Sequence, residues 1–321
     1  MNYKKAILNQ NKIFNLLKQS KLNNRLSHAY LFYGENGVGK KEMAYALACL
    51  LYCPNGGCLE CQVCQSIMNN QHMNVEYIGI DDNKTMISKE QITSLQEEFS
   101  KTSLIEGSRV YIVDGIDTAS MAAQNSLLKF IEEPINNTQT IGIFLATDSS
   151  NVVSTILSRC ALIHFEAIDF STRVQELVDD GIDLMDSTLA CSLTNSIDEA
   201  IDYTNSISFQ KGKELFLNFI KLSKQKEGVL FYLQNLDFYS DASNVEILLK
   251  WLLLFLDDAI KVFKGSDGLL LKPLYDTIIA YNTNNKLAIN AKLKLVSDLL
   301  NKLRYNISAK NVFHELIVKF I

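Results

Sequence analysis

The chain is poor in proline, with three in 321 residues, so few breaks stand in the way of regular elements and a large core. It lacks an excess of positive charge: 31 Lys and Arg against 36 Asp and Glu leave a net charge of −5. That balance argues against broad binding to a phosphate backbone and puts protein partners first. Late in the chain the apolar run Trp251–Leu256 spans six residues, far short of the roughly 20 a membrane helix needs. The opening Met1-Asn2-Tyr3-Lys4-Lys5 leads toward a mixed polar helix and not an apolar signal segment, so no membrane and a cytoplasmic location are expected. Histidine is scarce as well, and His28 has no nucleophile beside it. It reads as a packing and hydrogen-bonding residue. What is abundant is apolar side chain, 47% of the residues, enough for two or three domains.

Five of the seven cysteines fall between Cys49 and Cys64. The core of the cluster is Cys53-x4-Cys58-x2-Cys61-x2-Cys64, with turn residues Pro54-Asn55-Gly56-Gly57 after the first. In a reducing compartment such spacing points to metal before disulfides, and four thiolates suit tetrahedral Zn²⁺. Cys49, one helical turn earlier, is an alternative first ligand; Cys53 is preferred because it leaves the helix. Four sulfurs leave no open position for a reactive water, so the zinc is expected to be structural.

The loop Gly34-Glu35-Asn36-Gly37-Val38-Gly39-Lys40 spells a phosphate-binding motif and then departs from it at Lys41. Glycines let backbone N–H groups wrap phosphates, lysine reaches the terminal oxygens, and the next residue ordinarily offers a hydroxyl to Mg²⁺. Lys41 has no hydroxyl, and its ammonium would repel the ion. Lys40 can still meet a phosphate, which leaves ATP or ADP as candidate occupants, or it can pair structurally with Asp114.

Periodicity predicts strands at Ala29–Tyr33, Val75–Ile80, Arg109–Val113, Ile141–Ala146 and Ala161–Phe165. Helices are predicted at Lys12–Leu22, Lys40–Tyr52, Ser88–Lys101, Ser120–Ile131 and Val152–Leu157. This alternation means an α/β domain with a parallel sheet, whose ligand site lies beyond the strands' carboxyl ends, where the Gly34 loop falls. After Ala167 the pattern is helical. Stripes such as Leu215, Phe219 and Leu222, or Ile247, Leu248, Trp251 and Phe255, read as buried faces. Connections are expected at Gly265–Gly268 and Asn282–Asn285.

Several segments together resemble the clamp-loader subunits of bacterial DNA polymerase III, members of the AAA+ class. They are Ser27–Phe32 leading into the Gly34 loop, the cysteine cluster, Val110-Tyr111-Ile112-Val113-Asp114, Asn125–Pro134, Leu145-Ala146-Thr147 and Ser158-Arg159-Cys160. They appear in the family's order across residues 27–160. The tail matches more weakly through Arg304–Lys310. The resemblance implies an AAA+ domain over 1–167 with its zinc module at 49–64, a helical lid over 168–209 and an all-helical collar over 210–321.

It is nearer to the non-motor subunits than to the tau/gamma motor. The motors follow the strand-end Asp with a Glu that polarises water, whereas Asp114 is followed by Gly115. The stretch Asn195–Ala200 carries acid where the lid of a motor offers arginine. Thr147 occupies the place of a polar γ-phosphate sensor or else caps its strand. Gly34, Gly37, Gly39, Lys40, Lys41, Asp114 and Thr147 thus outline a degenerate nucleotide site. By resemblance Arg159 is an arginine finger offered to a neighbour's γ-phosphate; an arginine's planar fork suits that task. Cys160 reads as a small core residue, Ser158 as a turn residue, and Lys129 with Glu132 or Glu133 as interface residues.

The implied role is a stator that burns no nucleotide. Its partners would be the tau/gamma motors, the delta subunit and, through the assembled complex, the sliding clamp and primer-template DNA. An active motor ATPase and a zinc-containing nucleic-acid module are the alternatives.

Overall fold

The computed structural model describes residues 3–81, 84–100, 107–132, 140–222, 224–285, 289–305 and 307–321. The chain divides into two compact units, Met1–Ile168 and Asp169–Ile321. In the first, the strands are β1 (Ala29–Tyr33), β2 (Val75–Ile78), β3 (Arg109–Asp114), β4 (Thr140–Ala146) and β5 (Ala161–His164). All neighbours run parallel, in the order β2-β3-β4-β1-β5. Both faces are covered, which is why these strands are nearly continuous apolar runs. Tyr30, Phe32, Val110, Ile112, Ile141 and Ile143 enter one core; Ala29, Leu31, Tyr111, Val113 and Phe144 enter the other.

The helices of this unit are α1 (Tyr3–Asn9), α2 (Asn11–Leu22), α3 (Lys40–Tyr52), α4 (Gln62–Met68), α5 (Lys89–Ser100), α6 (Met121–Ser126), α7 (Leu128–Glu132) and α8 (Ser154–Leu157). The single helix expected over Ser120–Ile131 is broken at Leu127. Ser120 caps α6, its hydroxyl accepting from Ala123 N–H at 3.2 Å. The buried Gln124 then turns to neighbouring loops: its amide donates to Ala119 O and Asn151 O, and its oxygen accepts from Val153 N–H at 2.8 Å. Glu133 and Pro134, at the end of that expected segment, lie outside the described residues.

The second unit is helical: α9 (Phe170–Asp179), α10 (Leu184–Cys191), α11 (Ile197–Asn205), α12 (Ile207–Phe219), α13 (Gln225–Asn235), α14 (Ala242–Lys264), α15 (Tyr275–Asn285), α16 (Ile289–Arg304) and α17 (Ala309–Phe320). Trp251 of α14 is fully buried, with Phe209 and Phe216 edge-on at 5.3 and 5.7 Å. Its indole N–H donates to Leu189 O at 3.1 Å, so α10 and α14 share one core. Residues 209 and 210, where the lid is expected to pass into the collar, lie within α12. Gly265 ends α14 in a left-handed conformation, as the Gly265–Gly268 pattern implies. The other expected connection differs: Asn282–Asn285 is the last turn of α15, where buried Asn282 donates to Ala259 O at 2.8 Å. Among the described residues no helix is long and apolar enough to cross a membrane.

Candidate nucleotide cradle, cysteine centre and exposed arginine

The Gly34–Gly39 loop leaves the carboxyl end of β1 and opens α3, the position that gives a phosphate both loop amides and a helix N-terminus. Gly34, Gly37 and Gly39 all have positive φ, at 145°, 78° and 91°. A Cβ on Gly34 would collide with the carbonyl oxygen of Phe165. Strain at a φ reserved for glycine costs about 1–3 kcal/mol by itself. Gly34→Ala should therefore destabilise the chain by at least about 2 kcal/mol, read as a lower urea midpoint; an unmoved midpoint would refute the packing described.

The loop's own groups are turned on one another. Lys40 is buried, and its ammonium donates to Gly34 O at 2.5 Å and Glu35 O at 2.6 Å. Burial lowers its pKa, and the nearby carboxylates of Asp114, Asp117, Glu42 and Glu35 oppose that shift. Thr147 donates from Oγ1 to the Asn36 side chain at 3.0 Å, which places the strand-end hydroxyl against the loop. Direct pairing with Asp114 belongs to Lys41 instead of Lys40: Lys41 Nζ lies 4.0 Å from Asp114 Oδ2. Tyr77 bridges them, accepting from Lys41 at 2.7 Å and donating to Asp114 at 2.8 Å.

Gly115, where the resemblance leads one to expect a glutamate in a motor subunit, has φ of 95° and donates its N–H to Leu145 O. The backbone there is one that a side chain rarely adopts, so the missing carboxylate is matched by a conformation that disfavours one. In the second unit, the acids of Asn195–Ala200 start α11. Ser196 Oγ accepts from Glu199 N–H, and Asp198 and Glu199 lie in the first helical turn, where negative charge is favoured.

Two residues of this region carried no signal in the sequence. Gln10, buried between α1 and α2, donates to Val38 O at 3.1 Å and Glu166 O at 2.9 Å, fastening the loop from its rear. Asp117 Oδ2 accepts from the N–H groups of Thr147 and Asp148 at 2.9 and 3.0 Å and so fixes the turn after β4. An acid three residues past Asp114 and a lone polar residue between helices match no motif.

Cys53 leaves α3 in extended conformation, Cys58 lies in the following loop, Cys61 caps α4 and Cys64 occupies its first turn. Positive φ at Gly56, Gly57 and Leu59 curls the intervening chain. All four Sγ atoms lie within 4.8 Å of one another. Cys53 Sγ is 3.6 Å from Cys58 Sγ and 3.7 Å from Cys61 Sγ. A tetrahedron with Zn–S bonds of about 2.3 Å has edges of about 3.8 Å, so the donor set and its spacing fit zinc. Backbone N–H groups of Cys58 and Cys61 point at the sulfurs of Cys53 and Cys58, at 3.5 and 3.4 Å. Burial would raise the Cys53 thiol, but the N–H groups of Cys58 and Asn55 outweigh it and bring the pKa to about 6. Cys49 stands outside the group, its Sγ against Cys64 O at 3.9 Å.

Arg159 follows α8, with its side chain 36% exposed. Its guanidinium pairs with Glu132 through Nε and Nη2, and Nη1 donates to Thr155 O at 3.0 Å and Ser158 Oγ at 3.3 Å. Ser158 caps the short helix. Cys160 is partly buried against the core, its thiol pKa pushed up to about 12 by burial. The structure thus gathers Gly34, Gly37, Gly39, Lys40, Lys41, Asp114 and Thr147 at one end of the sheet and the four cysteines at the far end of α3.

A five-stranded parallel sheet with a phosphate-binding loop after β1, followed by a helical unit, defines a P-loop protein of the AAA+ type. The fold matches a DNA polymerase III gamma subunit-related protein of Thermotoga maritima with a TM-score of 0.53 and 12% identity, covering 96% of this chain and 97% of that one. The chain belongs to the family described as DNA polymerase III, delta subunit, which matches residues 9–169. It is 28% identical to DNA polymerase III subunit delta' of Bacillus subtilis across 96% of this chain and 95% of that protein. The tau/gamma subunit of Haemophilus influenzae is 33% identical over 53% of this chain, though only 25% of its own length. The resemblance read from residues 27–160 is borne out.

Proposed function

We propose that the chain is the non-hydrolysing stator of a DNA polymerase III clamp loader and lends Arg159 to ATP held by a neighbouring tau/gamma motor. The observation that carries this is a contrast within one domain. The chain's own cradle has an ammonium at the metal position and a left-handed glycine at the base position. Arg159, by comparison, stands at the surface, steadied by Thr155 O and Ser158 Oγ and paired with one carboxylate that a phosphate can replace. In this reading α9–α11 act as lid, and the later helices join a collar with the motors and the delta subunit. The sliding clamp and primer-template DNA are met through the assembled complex, in the cytoplasm. The four cysteines would hold a structural zinc that supplies rigidity and no chemistry.

The test is reconstitution of the loader with tau/gamma and delta, comparing clamp- and primer-stimulated ATP turnover for wild type and Arg159→Ala. A large loss is expected. Unchanged turnover would defeat the trans role, and ATP hydrolysis by the isolated chain that vanishes in Lys40→Ala would defeat the stator role.

A further inference from the structure

In P-loop proteins, the loop residue after the lysine and the acid at the end of the neighbouring strand hold one Mg²⁺ between them. Here those places belong to Lys41 and Asp114, and the two are partners across 4.0 Å. Tyr77 closes the third side: its ring lies 4.1 Å from the ammonium, and its hydroxyl relays from Lys41 to Asp114. Tyr45 stacks on Tyr77 at 5.9 Å, and its hydroxyl is tied to Asn70 at 2.6 Å, so the bridging ring is held from behind. Burial first, and then the charge of Asp114, push the Tyr77 pKa upward and keep its proton in place for that relay.

Mg²⁺ needs oxygen ligands at about 2.0–2.1 Å in an octahedral array. An ammonium offers no lone pair, and it already pairs with Asp114, the carboxylate at the end of β3. The residues present therefore do not fit the metal that the fold usually carries.

We propose that the Lys41 ammonium, steadied by Tyr77, has taken the electrostatic place of the divalent ion, so that the cradle excludes Mg²⁺ and receives phosphate groups only as metal-free anions. A cation on a side chain is present with or without ligand. It ties the start of α3 to the end of β3 in every state, which suits a subunit whose shape does not follow a nucleotide cycle. The inference concerns cation occupancy of the isolated chain and is independent of what Arg159 does in a complex.

The test uses the full chain with its cysteine centre intact, and Mn²⁺ with ADP as the probe, followed by electron paramagnetic resonance. Wild type and Lys41→Met should retain no Mn²⁺ in the presence of ADP. Lys41→Thr, which restores a hydroxyl and frees Asp114, should bind Mn²⁺ with ADP at least tenfold more tightly than wild type, and a further Asp114→Asn change should abolish that gain. Thermal unfolding gives a second reading: Mg²⁺ added to ADP should raise the midpoint of Lys41→Thr and leave wild type unmoved. Lys41→Ser repeats the hydroxyl arm should the threonine variant fold poorly. Mn²⁺ and ADP bound together by wild type and lost in Asp114→Asn would overturn the proposal. So would hydroxyl variants that gain no cation binding, or that both fail to fold while Lys41→Met folds.

Discussion

Cys61→Ser should emerge from purification without the zinc proposed for the wild-type chain and should unfold at a distinctly lower temperature. Structural zinc sites in small domains bind with about 10–16 kcal/mol of apparent free energy, most of it available only when all four thiolates converge. Here the cost does not stay in the loop. Cys53 and Cys64 are buried in the same core as Leu47, Leu50, Leu59 and Ile67, so loosening the centre frees the end of α3 and all of α4. Without a cation, four thiols separated by as little as 3.6 Å face mutual repulsion as they ionise, and burial pushes Cys64 well above the usual thiol range. Cys49→Ser, outside the group, should keep stoichiometric metal and shift the midpoint far less. Metal analysis with thiol titration and thermal unfolding decides the matter. A fully folded preparation with intact thiols and no metal would exclude the four-cysteine site.

The sheet was legible in the sequence because parallel strands buried on both faces must be apolar at successive positions, and all five expected strands form with small shifts at their ends. The cysteine cluster was legible for another reason: its four thiols are local, within 12 residues, and a turn-rich loop brings them together with little help from the rest of the fold. The interior of the cradle was not legible. Lys41, Tyr77 and Asp114 belong to three different elements, and nothing in the periodicity of β2 distinguishes Tyr77 from any other strand aromatic. Pairing with Asp114 was one of two roles open to Lys40, the other being contact with a phosphate. The structure reverses the two lysines because Lys40 is turned back on the carbonyls of Gly34 and Glu35. The break at Leu127 likewise depends on Gln124 reaching Asn151 and Val153, partners that helical spacing alone does not disclose.

In the assembled loader, Arg159→Ala should slow ATP cleavage at the single neighbouring site by about 10³-fold or more, the range found where an arginine finger is removed. That corresponds to about 4 kcal/mol of lost transition-state stabilisation, far more than the side chain contributes to its own fold. The pair with Glu132 is exposed on both sides, and screened surface pairs are worth about 0–1 kcal/mol, so the alanine variant should unfold within a few degrees of wild type. Single-turnover measurement is the right reading, because other motor sites would hide the loss in a steady-state rate. Arg159→Lys should recover little: an ammonium keeps the charge but not the planar fork that meets two oxygens. Glu132→Gln separates positioning from charge. If Glu132 merely holds the guanidinium until a phosphate replaces it, the glutamine variant should alter turnover by no more than about fivefold, the equivalent of one surface pair. A single-turnover rate unmoved by Arg159→Ala would sink the trans role. If Glu132→Gln were as damaging as the alanine change, the pair itself, and not a donated arginine, would be what the interface requires.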